Sequence, residues 1–436
     1  MRYGMSKVRF LSAERFHRLA KEGVWVVLGQ IIATVGSLIG VRLFTGLLTP
    51  ASFGELALGM TVATLVNQIL FGPLSNGITR FYAPAMEQND LSGYLKAVRR
   101  LVLFAIVMVL PVVMIVVIGV LLARRAEWIA IVMAALAFAI VSGCNSILNG
   151  IQNAARQRAV VALHQGMEPW LRFLAAAGLL LSFGATSTAA MIGYAVGAML
   201  VLGSQYLFFQ KIVPKNATWT TAERGWNSQI CKYSWPFASW GVFYWAQSSS
   251  DRWALEFYGT TKDVGLYAVL FQLGYYPMSM ATGMAVQLLA PIFYQRAGDA
   301  SDGQRNANVS RLTSRLTCLA LGGTGAAFIV ALLLHTQIFK VFVAKEYRSA
   351  SYLLPWMLLA GGIYATGQII ALNLMSQMKP HLMITAKIVT ALLGVIFNFA
   401  GAYWFGIEGV VLANILFSVL YSLWMVTLQI QKSDRG

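Results

Sequence analysis

Charge is what this chain has least of. Only 11% of its 436 residues are Asp, Glu, Lys or Arg, against about 25% in soluble domains. A soluble fold of this length would have to expose an unusual amount of apolar surface. Cysteine is also scarce: Cys144, Cys231 and Cys318 are far apart and lie in or beside apolar runs, which argues against a disulfide framework or a metal knuckle. The four histidines are equally scattered. There is no phosphate-cradling GxxxxGK[ST] loop, no HExxH and no GxSxG. No connection between apolar runs exceeds about 22 residues, so no room is left for an extramembrane catalytic or nucleotide-binding domain. No enzyme activity and no cofactor are therefore expected, and an ATP-driven pump would need a separate subunit.

What is present is apolar length. Hydrophobic residues make up 58% of the chain, and a helix needs only about 20 mainly apolar residues to cross about 30 Å of hydrocarbon. The runs predict an all-α integral membrane protein with helices at 23–46, 53–84, 98–122, 128–150, 159–182, 187–209, 231–251, 264–290, 311–334, 351–376, 381–403 and 407–430. Residues 1–22 are basic and carry no cleavage site, and the run that follows is too long for a signal-peptide core; it reads as a retained first helix. Gly72-Pro73 is expected to kink the second helix and Pro291 to end or kink the eighth, because proline removes a backbone donor and clashes one turn back.

A net charge of +17 would suit nucleic acid, but its distribution points elsewhere. Of the 33 Lys and Arg, 24 fall in the N-terminus, the C-terminus and every second connection, and seven in the remaining connections; Arg42 and Arg172 fall inside helices. By the positive-inside rule both termini face the cytoplasm. The excess positive charge then marks topology and matches anionic lipid headgroups, with no nucleic-acid partner required.

The stretch Val41–Leu56 (VRLFTGLLTPASFGEL) has a fainter copy about 210 residues on, where Asp251-Arg252 leads through a polar turn into Val264-Gly265-Leu266-Tyr267. That offset is close to half the chain and indicates an internal repeat. The organisation read from it is a basic N-terminus (1–22), a six-helix lobe (23–210), a linker (211–230), a second six-helix lobe (231–430) and a tail (431–436). Six helices per half put equivalent helices in the same direction, so the lobes should be related by a pseudo-twofold axis along the membrane normal, with the substrate path between them.

A charge at the bilayer centre costs about 2.5–3.5 kcal/mol on insertion scales, so each intramembrane charge needs a reason. Arg42 lies about one turn from the outer end of the first helix and either snorkels to the headgroups or faces a cavity. His164, Glu168 and Arg172 recur at a spacing that puts them on one helical face; Glu168 and Arg172 form either a self-neutralising i,i+4 pair or a polar stripe on a wet cavity. In the cavity reading Glu168 is a proton or cation site and Arg172 an anion contact. Asp251 and Arg252 are an interface pair or a gate between lobes. Arg80 and Lys387 are cytoplasmic-side anchors or cavity cations suited to phosphate. The aromatics Trp235, Trp240, Phe243, Tyr244 and Trp245 read first as interface anchors and second as a platform for sugar rings or a lipid tail. Amides such as Gln68, Asn145, Gln247, Gln272 and Asn398 within helices indicate a polar interior.

Arg42-Leu43-Phe44, Leu48-Thr49-Pro50, Phe53-Gly54, Gly77-Ile-Thr-Arg80-Phe81, Tyr233-Ser234-Trp235-Pro236-Phe237, Asp251-Arg252, Val264-Gly265-Leu266-Tyr267 and Gly406-Ile407-Glu408-Gly409 span essentially the whole chain. In their order and spacing the sequence resembles bacterial polysaccharide flippases of the multidrug/oligosaccharidyl-lipid/polysaccharide exporter superfamily. The resemblance implies two six-helix lobes in a V around a cationic cavity. It further implies alternating access that moves an undecaprenyl-diphosphate-linked oligosaccharide between leaflets of the inner membrane, coupled to an ion gradient, for O-antigen, capsule or exopolysaccharide synthesis. Expected partners are the lipid-linked oligosaccharide, membrane lipids, a polysaccharide polymerase and a chain-length regulator. Lipid II flippases of the superfamily usually carry two further C-terminal helices that are lacking here. The first half has Val41 where the second has Asp251, so the repeat is imperfect. The alternatives are a cation-coupled small-molecule exporter of the same superfamily, which calls for an acidic cavity, and a membrane polymerase or glycosyltransferase, which calls for sizeable outer loops.

Overall fold

The computed structural model describes residues 2–122, 124–211, 225–297, 302–377 and 381–433. Among them the first lobe comprises α1 (Arg2–Leu47), α2 (Pro50–Glu87), α3 (Leu91–Leu122), α4 (Ile129–Ala154), α5 (Arg158–Phe183) and α6 (Ser187–Gln210). The second comprises α7 (Trp226–Tyr258), α8 (261–297), α9 (Gly303–Phe342), α10 (Leu354–Ser376), α11 (381–405) and α12 (407–433). No strand occurs among these residues. The backbone of α1 is helical back to Arg2, so the basic N-terminal segment extends the first helix. Helix α7 starts at Trp226, inside the stretch expected to be linker; residues 212–224 of that stretch and 434–436 of the tail lie outside the described residues.

Local chemistry fixes the ends. Thr49 caps α2 by accepting from the Ser52 amide at 3.2 Å, with Pro50 at the first helical position, where a missing N–H costs nothing. Thr260 and Asp263 form a reciprocal capping box at the start of α8. Gly406 separates α11 from α12 at φ 58°, a left-handed conformation open to glycine without strain. The Gly72-Pro73 kink takes the form of a π-helical turn, Asn67–Phe71, immediately before it. A second π turn, Phe271–Tyr275, interrupts α8, which then continues past Pro291 to Ala297.

Among the described residues eight stretches, from Gly23–Leu47 to Met383–Ile430, are long and apolar enough to cross a membrane. The helices outside that set are α5, α7 and α8, whose apolar runs are diluted by charges and amides. In α3 and α9 only 17% and 11% of the most apolar window is buried, against 72% for the stretch containing α10; α3 and α9 therefore present their apolar surface outward while α10 is central.

Packing repeats between halves. In the first lobe α1 lies on α5, α2 on α4 and α4 on α6. In the second, α7 meets α11 through the Asn398–Ser250 hydrogen bond, α8 lies on α10, and α12 reaches α10 through Ser422 and the Ile363 carbonyl. The lobes cross where α2 meets α8. There a Cβ on Gly54 would strike the Thr261 carbonyl oxygen, and one on Gly265 would strike the Pro50 carbonyl oxygen. Each glycine thus lets the other helix's backbone approach, the small-residue contact on which membrane helices rely. This reciprocal crossing is the local expression of the internal pseudo-twofold repeat.

Two matching ties close the turn end of the molecule. At the end of α1, Thr45 accepts from the Ala344 amide at 3.1 Å, and Tyr347 donates to the Leu48 carbonyl at 2.8 Å. Near the end of α7, Glu256 pairs with Arg125 at 3.3 Å, and Trp253 lies against Trp128.

Candidate functional site: an inter-lobe cavity

A cavity of about 510 Å³ lies between the lobes, walled by α1, α2, α5 and α6 on one side and α7, α8, α10 and α12 on the other. Both interrupted helices line it at their π turns, through Gln68 on α2 and Phe271, Gln272 and Tyr275 on α8. A π turn releases backbone groups and widens the helix, which is why such turns recur at functional sites.

Arg172, Asp251 and Arg252 share this cavity. Asp251 is 2% exposed and well satisfied: it accepts from the Tyr267 hydroxyl at 2.6 Å, the Arg252 amide at 2.7 Å and Arg252 Nη1 at 3.2 Å. Asn414 of α12 in turn donates to the Tyr267 hydroxyl at 3.1 Å. Arg252 also donates to the Ser248 carbonyl at 3.0 Å, and its guanidinium carbon lies 4.6 Å from the Phe271 ring centre. This cation is neutralised and held by its neighbours, consistent with the requirement that buried ions be paired.

Arg172 differs. It forms no ion pair among the described residues; its guanidinium lies 4.9 Å from the Tyr194 ring centre and 5.3 Å from that of Phe173. Its Nε is buried without a hydrogen-bond partner. Cation–π contact does not replace a lost hydrogen bond, so Arg172 holds unused donor capacity on the cavity wall.

The i,i+4 pair expected between Glu168 and Arg172 is not formed: Glu168 makes no ion pair or hydrogen bond among the described residues. The three-residue stripe is split as well. His164 turns toward α6, with its ring nitrogens 2.8 Å from the Val160 carbonyl and 3.0 Å from the Ser204 hydroxyl.

Lys387 of α11 lines an adjoining cavity of about 360 Å³, with its ammonium 5.8 Å from a Trp240 ring centre. The two cavities adjoin one another, sharing Tyr244, Gln247, Ser279 and Tyr364 in their walls. Arg42 and Arg80 are exposed and line neither cavity.

The aromatics of α7 divide. Trp235 is 72% exposed, as an interface anchor would be. Tyr244 and Trp240 instead line the cavities, while Trp245 and Trp253 donate to Thr61 at 2.7 and 2.9 Å and tie α7 to α2. Sequence reasoning missed the tyrosines at 194, 267, 275, 276, 364 and 421. They are spread over four helices, and no local spacing links them.

A cavity between two helical lobes, charged on both walls and bordered by broken helices, is the architecture of a membrane transporter. The family model described as "Polysaccharide biosynthesis protein" matches residues 19–296, and the chain belongs to that family. Among solved structures, it is similar to an inward-facing multidrug resistance MATE family transporter of the MOP superfamily (TM-score 0.69, 14% identity, covering 94% of this chain and 99% of that one). It is similar to the same degree to the lipid II flippase MurJ in an inward closed conformation (TM-score 0.69, 12% identity, 94% and 87%). A MOP superfamily transporter from Pyrococcus furiosus, described as having a binding pocket of reversed polarity, also matches (TM-score 0.58, 14% identity, 94% of each chain). No curated protein matches the sequence. The protein is thus a multi-pass membrane protein with the two-lobed fold of MOP-superfamily transporters.

Proposed function

We propose that this protein is a flippase that carries a polyprenyl-diphosphate-linked oligosaccharide across the bacterial inner membrane by alternating access. The observation that carries the reading is one guanidinium from each lobe, Arg172 and Arg252, in a single inter-lobe cavity, with Arg172 lacking an acidic partner among the described residues. Taking an ionised group into hydrocarbon without partners is prohibitive. Guanidinium forks meet phosphate oxygens with charge-assisted hydrogen bonds, so the diphosphate trades water for Arg172 and Arg252 while the sugars occupy the polar cavity and the prenyl tail stays in lipid. The distribution of Lys and Arg supports cytoplasmic termini. With that orientation the tied end of the molecule faces the periplasm and the cavity loads from the cytoplasmic side. Glu168 and Asp251 are the acidic groups available for ion coupling or gating. Lys387 extends the positive path, and Arg42 and Arg80 anchor at the headgroups. The delivered repeat units would feed a polysaccharide polymerase and chain-length regulator that build O-antigen, capsule or exopolysaccharide.

The test is transport in reconstituted vesicles of a fluorescent prenyl-diphosphate oligosaccharide, read by accessibility to a membrane-impermeant quencher. Wild type should move the label, and Arg172→Ala with Arg252→Ala should abolish the movement. Equal movement by the double variant would remove these residues from the mechanism. The rival reading, export of small cations, requires a free acidic group on the cavity; Asp251 already accepts three hydrogen bonds, and Glu168, which has no ion-pair or hydrogen-bond partner among the described residues, lies outside the lining of both cavities, which weighs against it. Efflux of an organic cation by wild type, with no movement of the lipid-linked probe, would reverse the preference.

A further inference from the structure

The charged residues account for the diphosphate but leave the adjoining cavity unexplained. Its wall is a run of aromatic rings that crosses from the Arg252 chamber into the Lys387 chamber. Phe271 and Tyr275 of α8 stack at 4.9 Å and 16°; Tyr275 meets Tyr364 of α10 at 6.1 Å and 31°. Tyr364 meets Phe417 at 5.7 Å and 30° and Tyr421 at 5.1 Å, both of α12. Planes inclined by 16–39° at such centre distances overlap only in part, so each ring leaves an apolar step on the wall. Among the described residues the first lobe has no such run: its Phe44, Phe173 and Tyr194 meet mostly edge to face.

A second observation points to a ligand. Tyr421 lines the smaller cavity and is 2% exposed, and its hydroxyl is buried without a hydrogen-bond partner among the described residues. A buried unpaired hydroxyl is costly and is expected where something else supplies the partner. Gln247, Gln368 and Lys387 add polar groups around the same space. Apolar ring steps beside amides and an unpaired hydroxyl match a pyranose, which has an apolar C–H face and a rim of hydroxyls. They match a prenyl tail poorly, because a tail would strand the polar groups.

We infer that the second-lobe cavity is a sugar-binding subsite in which the Tyr364–Phe417–Tyr421 wall stacks the first pyranose rings of the substrate and the Tyr421 hydroxyl hydrogen-bonds one of them. The assignment rests on the flippase reading and refines it: the lobes divide the headgroup, with the diphosphate at the inter-lobe arginines and the glycan in the second lobe.

The experiment measures binding of two probes to the purified full chain in nanodiscs: farnesyl diphosphate, and the same lipid carrying one N-acetylglucosamine on its terminal phosphate. A stacked ring and one neutral hydrogen bond together should make the glycosylated probe bind about tenfold or more tightly. Tyr421→Phe keeps the ring and should reduce that ratio about two- to tenfold, the value of one neutral hydrogen bond; Tyr364→Leu should bring it close to one. Equal affinity of wild type for the two probes overturns the subsite while leaving the diphosphate reading intact. Failure of wild type to bind either probe overturns the flippase reading and the inference with it. A Tyr421→Phe ratio equal to wild type removes the hydroxyl from the site.

Discussion

The two copies of the helix-turn-helix passage share a backbone and diverge in charge. In each a threonine caps the second helix, Thr49 in one and Thr260 in the other, and Gly54 and Gly265 meet backbone to backbone at the crossing of α2 and α8. Arg42 then faces outward, whereas Asp251 and Arg252 turn into the cavity. The first lobe supplies its cavity cation from α5, as Arg172, and without an acidic partner among the described residues. Pseudo-symmetry is kept where helices touch and given up where the ligand would sit. Backbone contact tolerates no side chain on either helix, so both glycines are constrained alike; a cavity for one asymmetric molecule gains nothing from identical halves.

That contrast can be broken first at its symmetric part. Gly265→Leu drives a side chain into the Pro50 carbonyl, and since ordinary overpacking already costs about 1–3 kcal/mol, loss of monodisperse protein in size-exclusion chromatography is expected. Gly54→Leu should behave alike; a normal profile for either would undo the shared axis. Next is Asp251→Asn, which strands the Arg252 guanidinium. Breaking a buried pair from one side costs about 3–5 kcal/mol, and thermal unfolding in detergent should show a fall of several degrees, with Asp251→Asn/Arg252→Gln recovering part of it.

The asymmetric part gives smaller effects. Arg172→Ala should weaken binding of farnesyl diphosphate by about 10- to 100-fold, the value of a charge-assisted hydrogen bond, at nearly unchanged stability because no partner is left behind. Tyr267→Phe removes one of three donors to Asp251, and a loss of about 0.5–1.5 kcal/mol is expected, measured by the same unfolding assay. Smallest is Arg42→Ala: an exposed side chain outside the cavity should change transport less than about twofold and stability within about 0.5 kcal/mol. A tenfold transport defect would return Arg42 to the substrate path.

Much of the fold was legible because the bilayer imposes a simple rule. Apolar length and the spacing of Lys and Arg gave the helices, and the Val41–Leu56 copy gave the repeat. The site was legible only in part. Arg172, Asp251 and Arg252 stood out because a charge in an apolar run is expensive, yet cost alone does not tell inward from outward: Arg42 carried the same signal and faces away from the cavity. The Glu168–Arg172 pair looked sound by spacing, but a helical spacing allows contact without requiring it, and Arg172 is drawn instead to Tyr194 and Phe173. The tyrosine wall left no trace in sequence, since its rings come from helices some 150 residues apart along the chain.

By itself the sequence determined a membrane-embedded, two-part helical chain with a few charges that needed an explanation. Those are properties of composition and period, which act along the chain. Tertiary structure decided which charges are neutralised, which aromatics anchor and which line a wall, and that Gly54 and Gly265 belong to one crossing. Those depend on which helix faces which, and that choice is made by close packing between segments far apart in sequence.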